Sequence, residues 1–335
     1  MVIKYYPWQE EVWKRLVSMG ERLPHALLLH GRPGIGKLRL AEVLAQSLLC
    51  ENRSKEGLAC GACPACSWFA AGNHPDFRRV QPEALAPEED VELEDESAES
   101  KKKPSKQIKI EQIRGLADFL NVGSHRSGYR VVLIYPAESM NPGAANALLK
   151  SLEEPSAGVV FLLVSHQPSR LLPTVRSRCH GVGLALPPRE FSLRWLKEQG
   201  NKAGASALAF AGDAPLEAAA LTDEEAETRR RLVDLLSQPE TSALSLAEFC
   251  QRLQPSLVVD WMQKWTYDLV ACANNEEPRY NIDHQDKLSS LAQSMPTLKL
   301  LRFYAALSSM KAISEHPLNS RLFFDDLFFS YKDAS

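Results

Sequence analysis

The chain lacks any apolar run long enough to cross a bilayer. Its longest apolar stretches, such as 159–164, have the length of a strand. No signal-peptide pattern opens it at Met-Val-Ile-Lys-Tyr-Tyr-Pro-Trp, so a cytoplasmic address and no membrane partner are the expectation. It also lacks a strong charge of either sign. A net charge of −3 over 335 residues argues against a chain that binds nucleic acid by bulk electrostatics. Composition is otherwise ordinary for a globular protein, with 44% hydrophobic and 24% charged residues, and the length suits two or three domains.

Two further things are missing at places where chemistry would need them. Residues 31–38 read Gly-Arg-Pro-Gly-Ile-Gly-Lys-Leu, a phosphate-loop pattern in which Leu38 replaces the usual Ser or Thr. Gly31, Gly34, Gly36 and Lys37 can still cradle phosphate through backbone N–H groups and one point charge. The hydroxyl that holds Mg²⁺ is gone. Acidic residues normally end a hydrophobic strand beside such a loop. Here the strand Val131-Val132-Leu133-Ile134 runs into Tyr135 and Pro136, and the nearest acid, Glu138, is displaced. With two Mg²⁺-handling positions lost, the chain is expected to have no ATPase activity of its own. The competing reading is an active motor that uses Lys37, with Glu138 as a substitute acid.

Cysteine is present, but not as a disulfide framework. Of seven, Cys179, Cys250 and Cys272 are scattered, and Cys50, Cys60, Cys63 and Cys66 cluster with the spacing C-x9-C-x2-C-x2-C. Pairs two apart on tight turns, favoured by Gly61 and Pro64, can close a tetrahedron of thiolates around one Zn²⁺. Four protein ligands leave no open position, so such a site is structural. The alternative is a set of buried free thiols.

The patterning predicts an α/β fold. Strand candidates at 26–30, 131–134 and 159–164 alternate with helices at 38–49 and after Asn141-Pro142, where Ala145, Leu148, Leu149 and Leu152 keep helical spacing until Pro155. A mostly parallel sheet covered on both faces follows. The acidic-then-basic segment at 84–107 has few large apolar residues and reads as a mobile surface insertion. Beyond Pro187-Pro188 the pattern is helical throughout, at 190–199, 205–210, 215–221, 224–237, 245–253, 256–273, 285–294 and 297–314, with Asp223 expected as the cap of the fourth. Apolar positions such as Leu298, Leu301 and Ala305 suit core or subunit contact.

Several segments together resemble the clamp-loader branch of the AAA+ family, which serves bacterial DNA polymerase III. They are Tyr6-Pro7-Trp8, His25-Ala26-Leu27-Leu28 before the phosphate loop, the four-cysteine module and His74-Pro75-Asp76. The most specific are the segment from Ala145 to Pro155, including Lys150-Ser151-Leu152-Glu153-Glu154-Pro155, and Arg176-Ser177-Arg178-Cys179. The resemblance implies a ring subunit with an AAA+ parallel-sheet domain and zinc module over 1–180, a small helical lid over 181–222 and a C-terminal all-helical collar over 223–335. It implies partners as well: clamp-loader ATPase subunits, the clamp-opening subunit, and the sliding clamp and primed DNA through the complex. Carried onto this chain, Arg178 would be an arginine finger given in trans to a neighbour's ATP site, set in place by Ser177 and Cys179. A sensor arginine of the family's lid falls on Pro215 in Gly212-Asp213-Ala214-Pro215, a third loss for nucleotide chemistry.

Overall fold

The computed structural model describes residues 3–86, 104–121, 128–201, 204–238, 240–314, 316 and 319–334. The chain divides into two compact units, Met1–Pro187 and Pro188–Ser335.

Among its described residues the first unit is built on five strands: β1 (Ala26–His30), β2 (Phe77–Val80), β3 (Arg130–Ile134), β4 (Val159–Ser165) and β5 (His180–Gly183). They form one sheet in the order β2-β3-β4-β1-β5, every pairing parallel. Its helices are α1 (Glu10–Ser18), α2 (Lys37–Leu49), α3 (Pro64–Ala70), α4 (Ile110–Arg114), α5 (Leu116–Asn121), α6 (Pro142–Glu153) and α7 (Pro173–Arg176). Strand residues alternate between two cores, as a two-residue side-chain period requires. Leu27, Leu29, Val131, Leu133, Leu162 and Val164 pack with α2 on one face. Leu28, Val132, Ile134, Phe161 and Leu163 pack with Ala144, Leu148 and Leu152 of α6 on the other. The central strands are therefore buried on both sides, as their continuous apolar runs predict.

The edge strands carry no such run. Phe77-Arg78-Arg79-Val80 and His180-Gly181-Val182-Gly183 show mostly exposed positions, because an edge strand needs apolar cover on part of one face only. Their pairing with β3 and β1, not their composition, makes them strands.

Asn141 caps α6 as its sequence predicts: its Oδ1 accepts the Ala144 N–H at 2.7 Å, with Pro142 in the first turn. Asn141→Ala is expected to cost about 1 kcal/mol, read as a fall of roughly 2–4 °C in the melting temperature of the first unit. An unchanged melting curve would show that the cap contributes nothing.

The charged segment near 84–107 lies outside the described residues over 87–103. Its flanks meet: the Ala84 N–H donates to the Ser105 carbonyl at 3.0 Å, and Lys109 pairs with Glu83 at 2.6 Å.

The second unit is helical throughout its described residues: α8 (Arg189–Glu198), α9 (Gly204–Phe210), α10 (Pro215–Ala220), α11 (Asp223–Leu236), α12 (Ala243–Cys250), α13 (Pro255–Ala273), α14 (Gln285–Ser294), α15 (Thr297–Ser314) and α16 (Ser320–Ala334). The first three enclose a small core of Leu196, Ala207, Leu208 and Ala218. The others close around Trp265, Leu269, Phe324, Phe328 and Tyr331. One expectation needs correcting. The cap of α11 is Thr222, not Asp223: Thr222 Oγ1 accepts the Glu225 N–H, and Glu225 returns a carboxylate oxygen to the Thr222 N–H. That reciprocal pair satisfies two helix-end donors at once, and Asp223 falls in the first turn. No helix of the described residues is long and apolar enough to cross a membrane.

Candidate phosphate-loop, metal and arginine sites

Parallel β1, β3 and β4 all end on the same edge of the sheet, where α/β proteins place their ligands. The glycine loop follows β1. Gly36 has φ +81°, and a Cβ there would collide with the Tyr6 ring, so the residue has to be glycine for two reasons. Tyr6 stacks on Trp8 at 4.8 Å. Trp8 Nε1 and Gln9 Nε2 donate to the Ile35 carbonyl at 3.0 and 2.9 Å, and Gln9 also donates to the Gly36 carbonyl. The segment Tyr6–Gln9 is thus bonded to the loop backbone. Lys37 is only 2% exposed, and its ammonium donates to the Arg32 carbonyl at 2.5 Å, within the same loop as Gly31 and Gly34. Leu38 packs at the margin of the core shared by α2 and the sheet.

At the end of β3 the position suited to an acid holds Tyr135, whose hydroxyl lies 3.3 Å from His166 Nε2, just past β4. The rings meet edge to face at 5.6 Å. Glu138 lies on a short turn beyond Pro136, and its Oε1 accepts the His166 N–H at 2.9 Å. Glu138 thereby commits that oxygen to a backbone contact. Its Oε2 is buried without a hydrogen-bond partner among the described residues. Burial, then the Lys37 ammonium, pull the His166 imidazole below its ordinary range, and Glu138 opposes them. Tyr135, Glu138, His166 and Lys37 therefore form one neighbourhood. The sequence marks Lys37, Tyr135 and Glu138; it does not mark His166, since no motif flags a lone His after a strand.

The four clustered cysteines converge at the head of α3. The sulfur atoms of Cys50, Cys60, Cys63 and Cys66 all lie within 4.8 Å of one another. Cys50–Cys63 and Cys60–Cys66 are 4.0 Å apart. A tetrahedron of thiolates about 2.3 Å from a zinc ion has edges of about 3.8 Å. Backbone N–H groups of Asn52 and Cys60 point at the Cys50 sulfur, and those of Ala62 and Cys63 at the Cys60 sulfur. Those last two donors bring the Cys60 thiol down to about 6, while burial pushes the Cys50 and Cys66 thiols up. The donor set and its spacing fit a bound metal ion. The other cysteines, Cys179, Cys250 and Cys272, lie elsewhere and are free thiols.

Arg178 stands between α7 and β5 with its side chain about one-third exposed. Its Nη2 pairs with Glu153 Oε1 at 2.5 Å, and its Nη1 donates to the Thr174 carbonyl at 3.0 Å. Ser177 Oγ, 3.5 Å from Nη1, bonds back to the same carbonyl at 3.1 Å. Cys179 is partly buried against the core under α6, where burial raises its thiol to about 11.

Comparison with known proteins follows the same two units. Residues 8–187 match the family model described as DNA polymerase III, delta subunit, and residues 224–332 match that described as DNA polymerase III, delta subunit, C terminal. A protein of Pseudomonas aeruginosa named DNA polymerase III subunit delta' is 37% identical over 325 residues, covering 94% of this chain and 90% of its own length. Proteins of the same name are 34% identical in Yersinia pestis, covering 82% of this chain and 81% of theirs, and 29% identical in Escherichia coli K12, covering 89% and 86%. On both units and over almost its whole length, the chain belongs to the DNA polymerase III subunit delta' family.

Proposed function

We propose that this chain is the non-hydrolysing stator subunit of the DNA polymerase III clamp loader. It holds the ring together and completes a neighbour's ATP site with Arg178. One observation carries the first half of this reading: at the end of β3, where an ATPase needs an acid, the side chain is Tyr135, bonded to His166. Leu38 supports it, since it offers no oxygen to Mg²⁺. The Lys37 ammonium, bonded to the Arg32 carbonyl, would have to give up that bond to reach a phosphate. The competing motor reading uses Lys37 and Glu138. It has to explain how Glu138 could activate water with Oε1 accepting the His166 N–H and Oε2 buried.

The second half rests on chemistry. Arginine carries a planar, permanently charged fork suited to a phosphate across an interface. Partners in this reading are the clamp-loader ATPase subunits and the clamp-opening subunit, with the sliding clamp and primed DNA engaged through the whole complex. Residues 1–180 act as the AAA+ domain, 181–222 as the lid and 223–335 as the collar that assembles the ring. The metal is a structural Zn²⁺ on Cys50, Cys60, Cys63 and Cys66. Gly31, Gly34, Gly36 and Lys37 remain as a degenerate phosphate loop.

Two measurements test this. The purified chain alone should hydrolyse ATP no faster than its Lys37→Ala variant, with or without primed DNA; turnover that vanishes in that variant would make the chain a motor. In the reconstituted complex, Arg178→Ala should leave assembly intact and lower turnover at the neighbouring site by about 10³-fold or more, read as loss of that site's share of the total. Wild-type turnover in that variant would remove the finger.

A further inference from the structure

Arg178 is held from two sides by this chain's own atoms. Thr174 presents its carbonyl from α7 to Nη1, and Glu153 presents Oε1 to Nη2 from the last turn of α6. The two helices bring together residues 25 positions apart, and α6 stops where Pro155 cannot continue it, so the carboxylate is delivered from a defined end. The pair is not explained by stability. The Glu153 side chain is 48% exposed and that of Arg178 34%, and ion pairs this open to water add little. What the pair does is restrict a side chain with several rotatable bonds. A guanidinium has five N–H donors, and the carboxylate, carbonyl and hydroxyl around it supply only three acceptor groups, so the fork is held without being used up.

We propose that Glu153 is a positioning residue for Arg178: it fixes one arm of the guanidinium so that the remaining donors are aimed, with little further loss of rotamer freedom, at the terminal phosphate of a nucleotide bound by the neighbouring subunit. This rests on the stator reading above. An arginine that is already ordered loses less on engaging an oxyanion, and positioning of a charged group acts on the rate of the chemical step. The same carboxylate sets a limit. It must not seize Arg178 so firmly that exchange with phosphate is slowed, and its half-exposed position keeps the attraction screened.

The test uses the reconstituted clamp loader with sliding clamp and primed DNA, measuring kcat and KM for ATP in Glu153→Ala, Glu153→Gln, Arg178→Ala and the double variant Glu153→Ala with Arg178→Ala. Glu153→Ala should lower kcat roughly tenfold at the site served by Arg178, with KM unchanged. Glu153→Gln keeps an acceptor oxygen and should recover at least half of the loss. The double variant should turn over at the rate of Arg178→Ala alone, because Glu153 acts only through that arginine. A double variant that is slower than Arg178→Ala by the full Glu153→Ala factor would assign Glu153 a general structural role and overturn the proposal. An unchanged or raised kcat in Glu153→Ala, with Arg178→Ala impaired, would overturn it too and leave the finger standing. If Arg178→Ala itself turns over normally, the finger fails first and the positioning role falls with it.

Discussion

With the proposed Zn²⁺ on the four cysteines, Cys63→Ser is expected to abolish metal binding there and lower the melting temperature of the first unit by about 10 °C. The reason lies in what else holds the module together. Its core consists of Cys50, Ala59, Cys63, Ala65 and Cys66, with Cys60 packed beside them, and contains no large apolar side chain. Burial of alanines and thiols gives little cohesion, since each buried methylene contributes only about 0.8 kcal/mol. Phe69 and Leu58 anchor the module to the sheet core, and in the proposed zinc module the rest of the cohesion comes from four sulfurs acting on one ion. Structural zinc binding is folding free energy, on the order of 10–16 kcal/mol in small zinc peptides. Even if only about 4 kcal/mol of that is lost when one thiolate becomes a hydroxyl, a unit of this size should melt roughly 8–16 °C lower. Elemental analysis should find one zinc per wild-type chain and little in the variant, and calorimetry should resolve the shift. Acidification should act in the same direction, because protons compete with the ion for thiolates. A wild-type chain that is metal-free as purified, with the melting temperature of Cys63→Ser, would leave the cysteines as buried thiols.

Asp268→Ala should destabilise the second unit by about 4 kcal/mol, for a reason no motif announces. Asp268 is fully buried in α13. Its Oδ1 accepts the N–H groups of Arg279 and Tyr280, and its Oδ2 those of Tyr280 and Asn281 and the Asn281 side-chain amide, at 2.7–3.2 Å. The carboxylate thus organises the turn that leads into α14. Asn281 Oδ1 in turn accepts from Arg229 of α11, which also pairs with Asp283 at 2.9 Å. The Arg229 guanidinium lies 4.3 Å from the centre of the Phe210 ring, and the Lys264 ammonium 4.2 Å from the same ring. Phe210 ends α9, so this network ties the small helical layer to the larger one. Alanine at 268 strands the two buried donors of Asn281 and loosens the part-buried N–H groups of Arg279 and Tyr280, and each unpaired buried donor costs about 1–3 kcal/mol. Asp268→Asn keeps the shape but turns an N–H₂ toward donors, so an intermediate loss is expected. The measurement is urea unfolding of both variants followed through tryptophan fluorescence. A midpoint unchanged in Asp268→Ala would mean that the turn finds other acceptors and that the network is dispensable.

The residues differ in how legibly they announce themselves. The four cysteines were readable because metal ligation depends on spacing along a short segment, and all four fall within 17 residues. Asn141 was readable because a cap acts on N–H groups three residues away. The string points to Asp223 for the cap of α11, although the Glu225 that completes a capping box with Thr222 stands three positions on from it. Arg178 was visible only through the motif around it. Its partner Glu153 lies inside a different motif, Ala145 to Pro155, and nothing in either string joins them.

By itself the sequence determined the buried strands at 26–30, 131–134 and 159–164, the helices α2 and α6, the helical character beyond Pro188 up to residue 314 and the cysteine module, but not α3, α4, α5 or α16. In each, the decisive interactions lie between consecutive residues or within one helical turn, so period, cap and spacing are written locally. Tertiary structure alone decided that Phe77–Val80 and His180–Gly183 are edge strands, because partial burial leaves them polar and only pairing defines them. It also decided that Tyr135 meets His166, that Glu153 holds Arg178 and that Asp268 gathers the turn before α14. Those contacts join residues 31, 25 and 13 positions apart. Their partners are chosen by sheet order and helix packing, and a one-dimensional pattern holds no term for either.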